Sequence, residues 1–164
     1  MPTTNDRPSP TARASIESDA ATLLGLLSLE FARLDTALGM CVVWADGGRQ
    51  LDELTRRFET ASFDDKVAFL RKTVDRRFGD ADPAREAYTA WLARADDARR
   101  VRTHLLNGRV GFDPDTGRVV SVIGLPTSQD RRTRRYALDE LRTIVGALRT
   151  LHADLGVLRE RHPL

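Results

Sequence analysis

The residues of this chain best placed to do chemistry lie in one stretch, Ala98-Arg99-Arg100-Val101-Arg102-Thr103-His104-Leu105-Leu106-Asn107-Gly108. Three arginines, a histidine and an asparagine converge there on the last turns of an expected helix. A guanidinium presents a planar fork of donors that matches phosphate oxygens, and histidine exchanges a proton near neutral pH. Together they suit the binding of phosphate. At about 100° per residue, Arg100, His104 and Asn107 fall within roughly 60° of one another and face away from Leu105. Arg102 lies about 60° from Leu105, on the shoulder of the buried stripe. A half-buried guanidinium needs a partner. Glu30, between Leu27 and Leu34 on the shoulder of the first helix's stripe, is the expected one.

Other chemistries fall away on spacing. A di-iron carboxylate site needs Glu-x-x-His pairs, and none of His104, His152 and His162 has a glutamate three residues before it. Gly47-Gly48 follows no strand and so cannot form a phosphate loop. There is no Gly-x-Ser-x-Gly elbow. Cys41, the one cysteine, excludes a disulfide framework and a thiolate zinc site, and it sits in a helical stripe as a small core residue. No metal and no cofactor is expected. A second basic cluster, Arg131, Arg132, Arg134 and Arg135, falls in a stretch from Pro126 to Arg134 that reads as a solvated loop. Trp44 and Trp91 read as core.

The elements that must position these residues follow from periodicity. Met1 to Ala14, with Pro2, Pro8 and Pro10, reads as a disordered tail, leaving residues 15–164 as a single domain. Ala20, Leu23, Leu27, Phe31, Leu34, Leu38, Cys41 and Ala45 step by three and four, predicting a helix from Ile16 to Ala45 that Asp46-Gly47-Gly48 stops. Leu51 to Phe58 predicts a short helix. Ser62 with Asp65 caps the next, whose stripe is Phe63, Val67, Leu70 and Val74. Asp82-Pro83 starts the helix that carries the arginines, and Gly108 stands where a left-handed C-terminal glycine belongs. Val110–Phe112 and Val119–Ile123 flank Asp113-Pro114-Asp115-Thr116-Gly117, which predicts a β-hairpin with Gly117 left-handed. A last helix carries Leu138, Leu141, Val145, Leu148, Leu151, Leu155 and Leu158. The expected fold is all-α: an antiparallel up-and-down bundle of four main helices with a short β-hairpin before the last.

Composition sets the setting. In 164 residues, 26 basic against 24 acidic side chains leave a formal charge of +2, so net charge alone does not announce a nucleic-acid binder. Only Lys66 and Lys72 among the basic residues are lysine. No apolar run approaches the roughly 20 residues of a membrane span, so no membrane association is expected. A cytoplasmic protein is expected. Apolar residues off the main stripes, Leu24, Leu26, Phe69 and Leu106, predict a homodimer.

The succession of elements resembles the HEPN superfamily: a long first helix bearing Leu29-Glu30, a capped helix at Ser62-Phe63, and a helix ending Arg102 to Gly108. A short insertion and a last helix opening Tyr136-Ala137-Leu138-Asp139-Glu140-Leu141 complete it. The likeness covers about Ser15 to Leu158 as a pattern of elements, and only Arg102 to Gly108 matches a motif. Family members commonly carry Arg-Asn-x-x-x-His-Gly at this helix end. Many are metal-independent endoribonucleases of toxin–antitoxin and defence systems, acting as dimers. The resemblance implies Arg102 as the residue that stabilises phosphorane charge, His104 as proton shuttle and Asn107 at the family's histidine position. Arg99, Arg100 and Glu30 are the implied substrate-binding residues.

This chain departs from the motif at Thr103, where the family has asparagine, and at Asn107, where it has histidine. Either His104 substitutes from one turn earlier, or the site has lost its chemistry. The alternative from another class is an inert interaction module with a cognate protein partner, such as an antitoxin or regulatory subunit. In the plainest reading, His104 stabilises the helix dipole, Asn107 is a C-cap, and the arginines pair with Asp96 and Asp97.

Overall fold

The computed structural model describes residues 9–129 and 131–164. In chain order it contains α1 (Pro10–Val43), a 3-10 turn (Ala45–Gly48), α2 (Leu51–Phe58), α3 (Phe63–Arg77) and α4 (Pro83–Leu106). Strands β1 (Arg109–Asp113), β2 (Arg118–Ile123) and β3 (Arg132–Tyr136) follow, then α5 (Leu138–Arg161). The fold is mostly helical, with a small antiparallel sheet in the order β1-β2-β3 before the last helix. It divides into two compact units. One holds the chain up to Leu29 with Val101–Gly146; the other holds Glu30–Arg100 with Ala147–Leu164.

Local signals account for the helix boundaries. Ser62 accepts a hydrogen bond from the Asp65 N–H at 3.2 Å, while the Asp65 carboxylate takes the Ser62 N–H at 3.3 Å, a complete capping box on α3. Asp82 accepts from the Ala84 N–H at 2.8 Å, with Pro83 as the first residue of α4. The same device opens α1 earlier than Ile16. Ser9 Oγ accepts from the Ala12 N–H at 3.2 Å and Pro10 takes the first helical position. Residues 10–14 of the expected tail are therefore helical, and residues 1–8 lie outside the described residues. At the other end of α1, Asp46, Gly47 and Gly48 all have positive φ, at 58°, 66° and 75°. A Cβ on Gly48 would sit 2.9 Å from the Trp44 ring, so this turn specifies glycine twice over.

In the unit of Glu30–Arg100 and Ala147–Leu164, the core is built from the stripes read above. Leu34, Leu38, Leu70, Val74, Trp91 and Leu155 are essentially inaccessible. Two buried aromatics satisfy their polar atoms on α5 and just beyond it: the Trp91 indole donates to the Leu151 carbonyl at 2.8 Å, and Tyr88 donates to that of His162 at 2.9 Å. Burial pushes the Cys41 thiol up to about 11, the behaviour of an inert core cysteine. Trp44, expected in the core, is instead 47% exposed because the helix has already ended at Val43.

In the other unit, Leu23, Leu27, Leu105, Val119, Tyr136 and Leu141 are buried. The β1–β2 hairpin forms as predicted. Gly117 is left-handed at φ 63°, its N–H bonds the Asp113 carbonyl, and the Asp113 carboxylate caps the Asp115 and Thr116 amides. The expected basic loop departs most. Arg132–Tyr136 is a third strand, paired antiparallel to β2 with Tyr136 opposite Val119, Arg134 opposite Ser121 and Arg132 opposite Ile123. The fold is accordingly helical with a three-stranded sheet, where a hairpin alone was expected.

Candidate nucleic-acid interface

The last turns of α4 run into β1 through Asn107 and Gly108, and the sheet packs back on them. The Ser121 hydroxyl, fully buried on β2, donates to the His104 carbonyl, one of the orphan acceptors at the helix end. Gly108 makes this approach possible. A Cβ there would lie 2.6 Å from both the His104 carbonyl oxygen and Ser121 Oγ. The residue is not left-handed, so the expected conformational role is corrected: Gly108 is glycine because a strand passes over it.

His104 is likewise not on an open face. It is only 9% exposed, and its Nδ1 is buried without a hydrogen-bond partner. Burial first, then the guanidiniums of Arg134 and Arg132, hold the imidazole below the usual histidine range. The ring is therefore neutral at neutral pH. Asn107 is exposed and Arg102 half-buried, so the histidine and the asparagine do not share one solvent-facing surface as the helical wheel predicted. Arg102 and Thr103 both carry interactions within the fold.

The remaining expected site residues lie in the other unit and are occupied there. Glu30 is 2% exposed, and accepts from Arg149 Nε at 2.8 Å and Arg33 Nη1 at 3.1 Å. The Arg149 hydrogen bond, with Arg33 adding its charge, holds this carboxyl below its usual value against the opposing effect of burial. The role of guanidinium partner, expected of Arg102, is filled by Arg149. In this structure the Glu30 carboxylate is the counter-ion of two guanidiniums. Arg99 pairs with Asp64 on α3 at 3.0 Å and Arg100 with Asp97 at 3.0 Å, while Asp96 takes Arg71 at 3.0 Å. Arg100 thus makes the same-helix pair that the plain reading expected, whereas Arg99 and Asp96 each pair across to α3 and not with each other.

The residues that sequence reasoning set aside are more exposed and less committed. Between Arg109 and Tyr136 the chain carries six arginines against three aspartates. None of the six forms an ion pair within 4 Å with a described residue. Arg109 donates to the Gly124 carbonyl at 2.8 Å, and Arg135 only lends its field to Asp113. The register sorts the side chains by face. Arg132 and Arg134 stand on the face of Ser121 and Tyr136, roughly 7 Å apart by strand geometry. Arg135 joins Arg109 and Arg118 on the opposite face, around Val120 and Val122. Charge on an edge strand also discourages sheet-to-sheet pairing, but Arg118 lies on the central strand, where no edge needs guarding. The sequence carries no hydrophobic period that marks this strand, since Arg132-Thr133-Arg134-Arg135 is polar on both faces.

Among the described residues no helix is long and apolar enough to cross a membrane, and no cluster of His, Cys, Asp or Glu could hold a metal ion. No protein-family description, curated protein or solved structure matches this chain.

Proposed function

We propose that this chain is a HEPN-like, RNA-associated protein that holds RNA by its phosphates through the arginines of the β1–β3 sheet, and that it does not cleave it. The observation that carries the reading is the set of six arginines, Arg109 to Arg135, without an ion-pair partner among the described residues. Uncommitted guanidiniums on a small sheet suit the repeated phosphates of a nucleic acid, which contribute most of non-specific affinity. Cleavage of RNA without a metal would need attack by a ribose 2′-hydroxyl on the adjacent phosphate, with a proton carrier in contact. His104 is buried, out of reach of a ribose hydroxyl, and Asn107 cannot exchange a proton near neutral pH, which favours the degenerate reading of the motif. An up-and-down arrangement of the main helices, a homodimer and a cytoplasmic setting belong to the same proposal. The dimer's original motive weakens, since Leu24, Leu26, Phe69 and Leu106 are half-buried, whereas Met40, Trp44 and Val157 stand exposed.

The test is fluorescence anisotropy with a labelled RNA, alongside incubation with total RNA. Binding that falls on Arg132→Ser with Arg134→Ser, with the RNA left intact, supports the proposal. Cleavage that disappears in Arg102→Ala with His104→Ala restores the enzyme reading. No RNA binding at low salt leaves the inert interaction module, with the arginines facing a partner's carboxylates.

A further inference from the structure

A second set of uncommitted arginines lines a cavity in the unit of Glu30–Arg100 and Ala147–Leu164. The cavity, about 350 Å³, lies between one face of α2 and one face of α3. Its α3 wall is Phe69, Thr73, Arg76 and Arg77, spaced as one helical face. Its α2 wall includes Glu53 and Arg57, again four residues apart. The Arg57 guanidinium lies over two rings, 5.1 Å from the centre of Phe58 and 5.6 Å from that of Phe69, so it is fixed in place without a carboxylate.

Three features separate this cavity from an ordinary surface groove. Arg57, Arg76 and Arg77 have no ion pair within 4 Å among the described residues, although Arg33, Arg71, Arg85, Arg94, Arg99 and Arg149 in the same unit all have one. Asp46 and Glu53 also line it, as does Leu164, and no acid reaches these guanidiniums within 4 Å among the described residues; Asp46 lies 4.0 Å from Arg49. Charges of both signs are thus held apart around one space. Thr73 Oγ1 is buried on the cavity wall and has no hydrogen-bond partner. A hydroxyl on a helix ordinarily returns to a carbonyl one turn back, so its idleness leaves a donor and acceptor unused.

We propose that this cavity binds a sugar phosphate, free or as part of a mononucleotide. The arginines take the phosphate dianion. Asp46 and Glu53 accept hydrogen bonds from the sugar hydroxyls. The half-buried Phe69 ring, on the cavity wall, meets the apolar C–H face of the sugar, and Thr73 supplies one further polar contact. The volume falls at the low end of small-molecule sites, about 300–1,000 Å³, which suits one sugar phosphate and excludes a dinucleotide. The site is independent of the sheet arginines.

Isothermal titration calorimetry on the full chain tests this with ribose 5-phosphate, adenosine monophosphate, ribose and inorganic phosphate. Either phosphorylated sugar binds at least about tenfold more tightly than ribose or phosphate alone, and the tighter of the two names the source. Arg76→Ala with Arg77→Ala weakens that binding about tenfold or more, while circular dichroism and melting of the free protein stay unchanged. Glu53→Gln weakens the phosphorylated sugars and leaves the weak heat of phosphate alone unaltered. Arg132→Ser with Arg134→Ser, on the sheet, leaves all four titrations as they were. Inorganic phosphate binding as tightly as the sugar phosphates overturns the proposal. So does the absence of heat from every ligand at millimolar concentration, or binding that the Arg76 and Arg77 substitutions leave intact.

Discussion

Arginine is used in two ways in this molecule. In the unit of Glu30–Arg100 and Ala147–Leu164, away from the cavity of Arg57, Arg76 and Arg77, several guanidiniums are tied to named acids: Arg149 and Arg33 to Glu30, Arg99 to Asp64, Arg71 to Asp96, Arg94 to Asp154. There, in every pair but Arg33 with Glu30, arginine joins one helix to another. On the β1–β3 sheet of the other unit, five arginines, with Arg131 just before β3, have no acid within 4 Å among the described residues. A charge held by a buried carboxylate is already used, whereas one facing water retains its capacity to bind an anion. The difference teaches that arginine clusters cannot be ranked by the chemistry of their sequence neighbours. Arg99, Arg100 and Arg102 had a histidine and an asparagine beside them, yet the first two are neutralised in the fold.

The comparison is broken most forcefully at Glu30. Arg149→Ala leaves a nearly inaccessible carboxylate with Arg33 alone, and losing a charge-assisted hydrogen bond from a half-exposed arginine costs about 1.5–3 kcal/mol. Chemical denaturation should show that loss, with RNA affinity unchanged. Exposed Arg100, paired with Asp97 across one turn, is the contrast: Arg100→Ala should cost no more than about 0–1 kcal/mol.

Next in size is Gly108→Ala. The new methyl meets the His104 carbonyl and Ser121 Oγ at 2.6 Å, so the sheet must lift from the end of α4. A cost of about 1–3 kcal/mol follows, and RNA binding should fall with it if the sheet is the binding surface. A variant of normal stability would show that the strand does not lie against the helix end.

The two units also differ in their pH windows. His104 is held below its ordinary value of 6.5 in the fold, chiefly by burial. The unfolded chain therefore takes up this proton first, and stability falls as pH drops below about 6.5. Glu30 is held below its ordinary 4.5, so its contribution, present above that value, is lost as pH falls further. His104→Gln should abolish the upper window and leave the lower one. Denaturation midpoints between pH 7.5 and 5 that decline equally in both proteins would contradict this account of the histidine.

Much of the helical framework was legible because its signals are local. Ser62 with Asp65 and Asp82 with Pro83 specify helix starts whatever packs on them later. Ser9-Pro10 is the same signal, overlooked among Pro2 and Pro8 in a polar stretch. The strand Arg132–Tyr136 was not legible, because its order comes from pairing with β2 and not from a buried face; only Tyr136 is covered. The burial of His104 was hidden for the same reason. A helical wheel drawn from Leu105 registers neighbouring helices but not a sheet folding back over the last turn. The pairing of Glu30 with an arginine was legible as a need, and its partner, 119 residues away on α5, was not.

The most direct test of the central claim is the salt dependence of RNA binding. For each phosphate neutralised, the logarithm of the binding constant falls with that of salt by about 0.7–0.9. The chain should show a slope of several such units. Arg132→Ser with Arg134→Ser should reduce it by about two units, at a change in stability within about 0.5 kcal/mol. Arg71→Ala with Arg94→Ala, which removes the same charge from paired positions, should leave the slope unaltered. Equal slopes in the sheet variant and the unmodified chain would contradict the claim that the uncommitted arginines of the sheet are what meets the nucleic acid.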